Sequence, residues 1–94
     1  MREDFKDVYK SFGDKYGLKS QMQQCIEEMS ELIKELCKYD RTFGTDKHDQ
    51  TIKAIKEEIA DVLNMVEQLE YLFGEEDIES IRDKKIARSR DLYL

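Results

Sequence analysis

Apolar residues recur along this chain at helical spacing, and the places where that period breaks divide it into four segments. Phe5, Val8, Tyr9 and Phe12 mark a short leading helix over residues 3–12, after which Gly13-Asp14 and Tyr16-Gly17 supply breakers. From about Leu18 to Tyr39, Met22, Cys25, Ile26, Met29, Leu32, Ile33, Leu36 and Cys37 form one continuous stripe. The period is lost from Asp40 to Gln50, a polar stretch holding Gly44 that reads as a loop, with Asp46 or Asp49 placed to cap the next helix. A third helix then runs to about Phe73. Gly74 stops it at the C′ position, and Asp77 is placed to cap a last helix reaching about Leu92.

The expected fold is therefore all-α, an antiparallel helical bundle with a four-helix core, in one domain spanning residues 1–94. Composition agrees: 40% of residues are charged, there is no Pro and there are four Gly, which favours long helices over strands and tight turns. A chain of this length buries only roughly 60–65% of its unfolded surface. Helix three is apolar over about half its circumference, so the surplus apolar surface predicts self-association.

Charge and cysteine usage narrow the function classes. The net charge is −6, and basic residues cluster only in Lys84-Lys85-Ile86-Ala87-Arg88-Ser89-Arg90, so no nucleic-acid partner is expected. No apolar run approaches the roughly 18 residues that span a bilayer, and Met1-Arg2-Glu3-Asp4 lacks the apolar region of a secretory signal. The expectation is a cytoplasmic protein with no membrane partner. Cys25 and Cys37 would lie about 18 Å apart along one helix, too far to bridge, and both fit as small buried apolar residues.

Two acidic clusters remain: Glu27-Glu28-Met29-Ser30-Glu31 and Glu57-Glu58-Ile59-Ala60-Asp61. Each repeats a carboxylate at i and i+3, which places the pair on one helix face. On the second helix Glu28 borders the apolar stripe, with Gln24, Glu31 and Glu35 further out, so a solvated polar face explains them well. On the third helix, with Ile52 at zero, Glu58 lies near ~240° inside an apolar arc and Asp61 near ~180° at its rim. A carboxylate enclosed by apolar neighbours must be paired, protonated or bound to a cation. On the last helix Lys85 and Arg88 share the stripe of Ile78 and Ile81. Two readings fit them: long stems snorkelling along apolar surface, or cations reaching toward phosphates held over the acids.

Four carboxylates facing one another suit Mg²⁺, which takes oxygen ligands and leaves places for waters and substrate phosphates. Gln24-Cys25-Ile26-Glu27-Glu28-Met29-Ser30-Glu31-Leu32, followed by Glu57-Glu58-Ile59-Ala60-Asp61-Val62-Leu63, resembles the EExxE…ExxD signature of the MazG-like all-α nucleoside triphosphate pyrophosphohydrolases. The resemblance covers roughly residues 18–90 and is closest to short, single-domain, phage-type members. It implies a MazG-like core completed by dimerisation, as a homodimer or homotetramer, and Mg²⁺-dependent hydrolysis of a nucleoside triphosphate between the α and β phosphates, with Mn²⁺ as a substitute. It implies Glu28, Glu31, Glu58 and Asp61 as metal ligands. Glu28 and Glu27 then act at the catalytic centre, Glu27 positioning the attacking water or supporting the ligands. Asn64 matches an Asn one turn beyond the second motif, and Lys85 and Arg88 resemble the family's basic phosphate contacts. Gln24 and Gln21 are candidate nucleotide contacts, Phe43 a candidate stacking residue, and His48 reads as a surface residue without a partner. The competing function is a non-catalytic helical oligomerisation module whose acidic faces are merely solvated.

Overall fold

A computed structural model describes residues 3–94. A 3-10 turn, Glu3–Phe5, leads into α1 (Lys6–Tyr16), followed by α2 (Leu18–Thr42), α3 (His48–Phe73) and α4 (Glu75–Tyr93). The described residues contain no strand, so the all-α expectation holds. The long helices α2 and α3 form an antiparallel hairpin, and α1 lies against both.

The breaks fall at glycines. Gly17 separates α1 from α2 and Gly74 separates α3 from α4, with φ of 83° and 116° respectively, values that cost a side-chain-bearing residue strain. Gly13 acts differently. It does not end the first helix, which continues to Tyr16. Its missing side chain lets α1 approach α3, because a Cβ there would stand 2.8 Å from Leu72 Cδ2. Tyr9, buried on α1, fixes the same contact by donating its hydroxyl hydrogen bond to Glu67 on α3. Lys6 and Glu75 add an ion pair at 3.3 Å.

The link between α2 and α3 is shorter than the polar stretch predicts, five residues (43–47) instead of eleven. Hydroxyls tie it to the helix end: Thr42 Oγ1 donates to the Lys38 carbonyl at 2.9 Å, and Thr45 Oγ1 donates to the Thr42 carbonyl at 2.7 Å while accepting from the Lys47 amide at 3.2 Å. These bonds let the helices extend into a sequence without apolar period. The expected caps are not used. Lys47 and Gly74 occupy the N-cap positions of α3 and α4 without side-chain bonds, whereas Asp49 and Asp77 sit inside the first turns, where a carboxylate favours the positive helix end. His48 is also not a bare surface residue. Its Nδ1 lies 3.1 Å from Thr42 Oγ1, and its ring meets Tyr39 and Phe43 edge-on at 4.8 and 5.3 Å between centroids. Phe43 is thus half of a clamp on His48.

Little of the apolar stripe is buried within one chain. Tyr9 and Cys25 are the buried hydrophobics among the described residues, while Met22, Ile26, Met29, Ile33 and Leu36 on α2 and Ile59, Leu63, Val66 and Phe73 on α3 are exposed. Cys37, expected to be buried, is exposed as well. Among the described residues the backbone of α4 approaches only that of α3. The radius of gyration is accordingly 16.3 Å, against about 12 Å for a compact chain of this length.

Candidate metal centre

The register of the hairpin decides which acids meet. Gln68 Nε2 donates to Gln21 Oε1 at 2.6 Å, so these two residues stand level across α2 and α3. Glu28 lies seven residues after Gln21 and Asp61 seven before Gln68, two helical turns along the same faces in opposite directions. Glu28 and Asp61 are therefore level too. Glu58, one turn from Asp61 on α3, joins them, and single carboxylate oxygens of Glu28, Glu58 and Asp61 all lie within 4.8 Å of one another.

Glu58 occupies the inner position. It and Glu28 are half-buried and Asp61 is exposed. Glu58 Oε2 is shut off from solvent with no hydrogen-bond partner among the described residues, the condition its place within the apolar arc of α3 foreshadows. Burial pushes the Glu58 carboxyl above the usual carboxylate range, and the negative charges of Asp61, Glu28, Glu31 and Glu35 add to the shift. A buried acceptor without a donor, crowded by like charge, is relieved by a proton or by a cation.

The neighbouring acids are arranged around this group. Glu31 stands one turn beyond Glu28, exposed and outside the cluster of three, yet its charge bears on Glu58. Glu35, which no motif singles out, acts on Glu58 from the next turn and is itself paired with Lys38 at 3.0 Å. Glu27 is exposed on α2 and does not belong to the cluster. Gln24 touches the cluster directly, its Nε2 donating to Glu28 Oε1 at 3.1 Å, which orients that carboxylate and leaves its other oxygen available.

The remaining sequence-designated residues lie further out. Asn64 is exposed, one turn past Asp61, and lines a cleft between α1 and α3 with Tyr9 and Phe12. Lys85 and Arg88 are exposed on α4 and line a shallow concavity with Leu92 and Tyr93 of the same helix. Neither makes an ion pair among the described residues. The cluster and these two cations are not brought together by α4 of the single chain, whose backbone does not approach α2.

Three carboxylates with one orphaned buried oxygen form a hard, anionic donor set, and that set fits a small divalent cation such as Mg²⁺. The chain matches no protein-family model, no curated protein and no solved structure.

Proposed function

We propose that the chain is a MazG-like nucleoside triphosphate pyrophosphohydrolase, hydrolysing (d)NTPs between the α and β phosphates to (d)NMP and pyrophosphate. The observation that carries this reading is the meeting of Glu28, Glu58 and Asp61 across the hairpin, with Glu58 Oε2 buried and unpartnered. Glu28, Glu58 and Asp61 would hold Mg²⁺, with Glu31 close enough to contribute charge. When bound, the ion supplies charge neutralisation for the phosphates and a more acidic water. The protein's part is to hold the ligands in place. Gln24 orients Glu28, the hairpin register sets Glu28 against Asp61, and the apolar arc around Glu58 limits its access to water. Glu27, on the exposed side of α2, supports the ligands or the attacking water from the periphery.

The functional unit in this reading is a homodimer or a pair of homodimers. Support comes from the exposed residues of α2, where Met22, Ile26, Met29, Ile33 and Leu36 alternate at spacings of four and three, the repeat of a helix-packing seam. Ile59, Leu63, Val66 and Phe73 continue an equivalent line on α3. A second copy on these seams would complete the bundle that one chain leaves open. Phosphate contacts by Lys85 and Arg88 belong to that assembly, because α4 extends away from the hairpin. Within the described residues no helix is long and apolar enough to cross a membrane.

Incubation with a panel of nucleoside triphosphates tests the reaction. Pyrophosphate and monophosphate should appear with Mg²⁺ or Mn²⁺, and Glu58→Gln should abolish their release. Hydrolysis that survives both Glu58→Gln and Asp61→Asn would exclude the assignment, and failure to bind any nucleotide would favour a non-catalytic oligomerisation module.

A further inference from the structure

A cleft of about 400 Å³ opens beside the acidic cluster, where α1 faces the hairpin, and Gln24 belongs to both: it lines the cleft and holds Glu28. Its volume lies within the range of small-molecule sites. We infer that this cleft is the subsite for the base of a nucleotide, stacked on Phe12 and Tyr16 and read by the amide pair Gln21–Gln68. The inference rests on the reading of the acidic cluster as the place where the phosphates are held.

Two features of the lining give it this chemistry. The rings of Phe12 and Tyr16, one turn apart on α1, lie 6.2 Å apart at a tilt of 32° and are partly exposed, which offers aromatic faces to a flat ligand. Opposite them, Gln21 and Gln68 are more than nine-tenths buried and spend one hydrogen bond on each other. That bond uses the oxygen of Gln21 and the nitrogen of Gln68. The nitrogen of Gln21 and the oxygen of Gln68 have no protein partner among the described residues, yet neither is sealed from solvent. Both residues line the cleft, so the pair presents one donor group and one acceptor there. Exchanging both amides end for end would leave the same complement.

A donor beside an acceptor is what the pairing edge of a nucleobase satisfies, and stacking with edge hydrogen bonds is how proteins read an isolated base. A bare polyphosphate or a sugar phosphate would leave the aromatic faces and the amide pair unused. The cleft therefore accounts for selection of nucleotides over other polyphosphates, while the acidic cluster accounts for chemistry on the phosphates.

The test separates the base subsite from the reaction. The full chain, freed of metal with chelator, is titrated with each of the four 2′-deoxynucleosides and, as a control, with ribose 5-phosphate, while ¹H–¹⁵N spectra follow the glutamine side-chain amides. At least one nucleoside should shift the Gln21 and Gln68 amides saturably, ribose 5-phosphate should not, and Glu58→Gln should bind the nucleoside with unchanged affinity. Phe12→Leu, at a partly exposed position, should weaken binding about tenfold without loss of the fold. Gln68→Glu makes the pair present two acceptors, which should move preference toward guanine, whose ring N–H and exocyclic amino group are adjacent donors. Shifts by a nucleoside with no pyrophosphate released in Mg²⁺ would support the subsite and overturn the reaction. Silence of the Gln21 and Gln68 amides toward every nucleoside, or equal hydrolysis of nucleoside triphosphates and inorganic tripolyphosphate, would overturn the subsite.

Discussion

Gln21 and Gln68 face each other across the hairpin at 2.6 Å, both buried, and their contact sets the step of α2 against α3. It links a polar pair at one level of the hairpin to the acidic cluster two turns away. Removing one amide should cost more than removing both. Gln68→Leu or Gln21→Leu alone strands the other amide in a place where burial without a partner costs about 1–3 kcal/mol, whereas the two combined fill the space with apolar groups at little net cost. Urea denaturation of the two singles and the double measures the coupling, and additive effects would show that the bond does not hold the register.

The carboxylates of the cluster should oppose folding when no cation is present. Glu58→Gln removes a charge that burial and its acidic neighbours both disfavour, so the metal-free variant should melt at a higher temperature than the wild-type chain. A lower melting temperature would mean that the Glu58 carboxylate stabilises the fold by itself.

At the junction of α3 with α4, Glu70 is buried and its carboxyl meets that of Glu79, which Arg82 holds at 2.8 Å. Burial pushes Glu70 up, reinforced by the bond and charge of Glu79, while the bond with Glu70 and that with Arg82 push Glu79 down. The stability that Glu70 contributes is full below its unfolded pKa, about 4.3, and is lost as pH rises through its raised folded pKa. Glu79 contributes in the opposite sense: its stability is present above about 4.3 and is lost as pH falls through its lowered folded pKa. Glu70→Gln keeps a donor toward Glu79 and should make the melting temperature higher at pH 7 and flatten its dependence on pH above about 4.3. An unchanged pH profile would contradict the upward push on the Glu70 carboxyl.

The exposed seams give a further expectation. Ile33 is 62% exposed in the single chain, so Ile33→Asp should alter the stability of an isolated protomer by no more than about 0.5 kcal/mol. Sedimentation should nevertheless show a dimer or tetramer for the wild-type chain and a monomer for the variant. A wild-type monomer at micromolar concentration would remove the assembled active site from the account.

Much of the helical order was legible because each long segment carries one apolar period and ends near a glycine. The inward place of Glu58 was legible too, since apolar residues flank it on both sides of the α3 arc. The helix ends were not. Thr42 and Thr45 extend the helical hairpin through side-chain bonds that leave no apolar pattern, and Gly13 serves close packing against Leu72 instead of a turn. Periodicity also overstated the core: the stripe on α2 is real, but one chain buries only Cys25 of it. The separation of Glu31 from the cluster, and the pairing of Gln21 with Gln68, depend on the register between helices, which no single helix encodes.

Cation binding at the cluster is the central claim, and thermal unfolding with and without millimolar Mg²⁺ measures it most directly. A ligand that binds only the native state stabilises it by about 2.7 kcal/mol at one hundred times its dissociation constant, and so raises the melting temperature with concentration. The wild-type chain should gain stability from Mg²⁺ and not from the same ionic strength of NaCl, and Glu58→Gln and Asp61→Asn should each lose that gain while remaining folded. An Mg²⁺-induced rise of equal size in the wild-type chain and both variants would contradict the site.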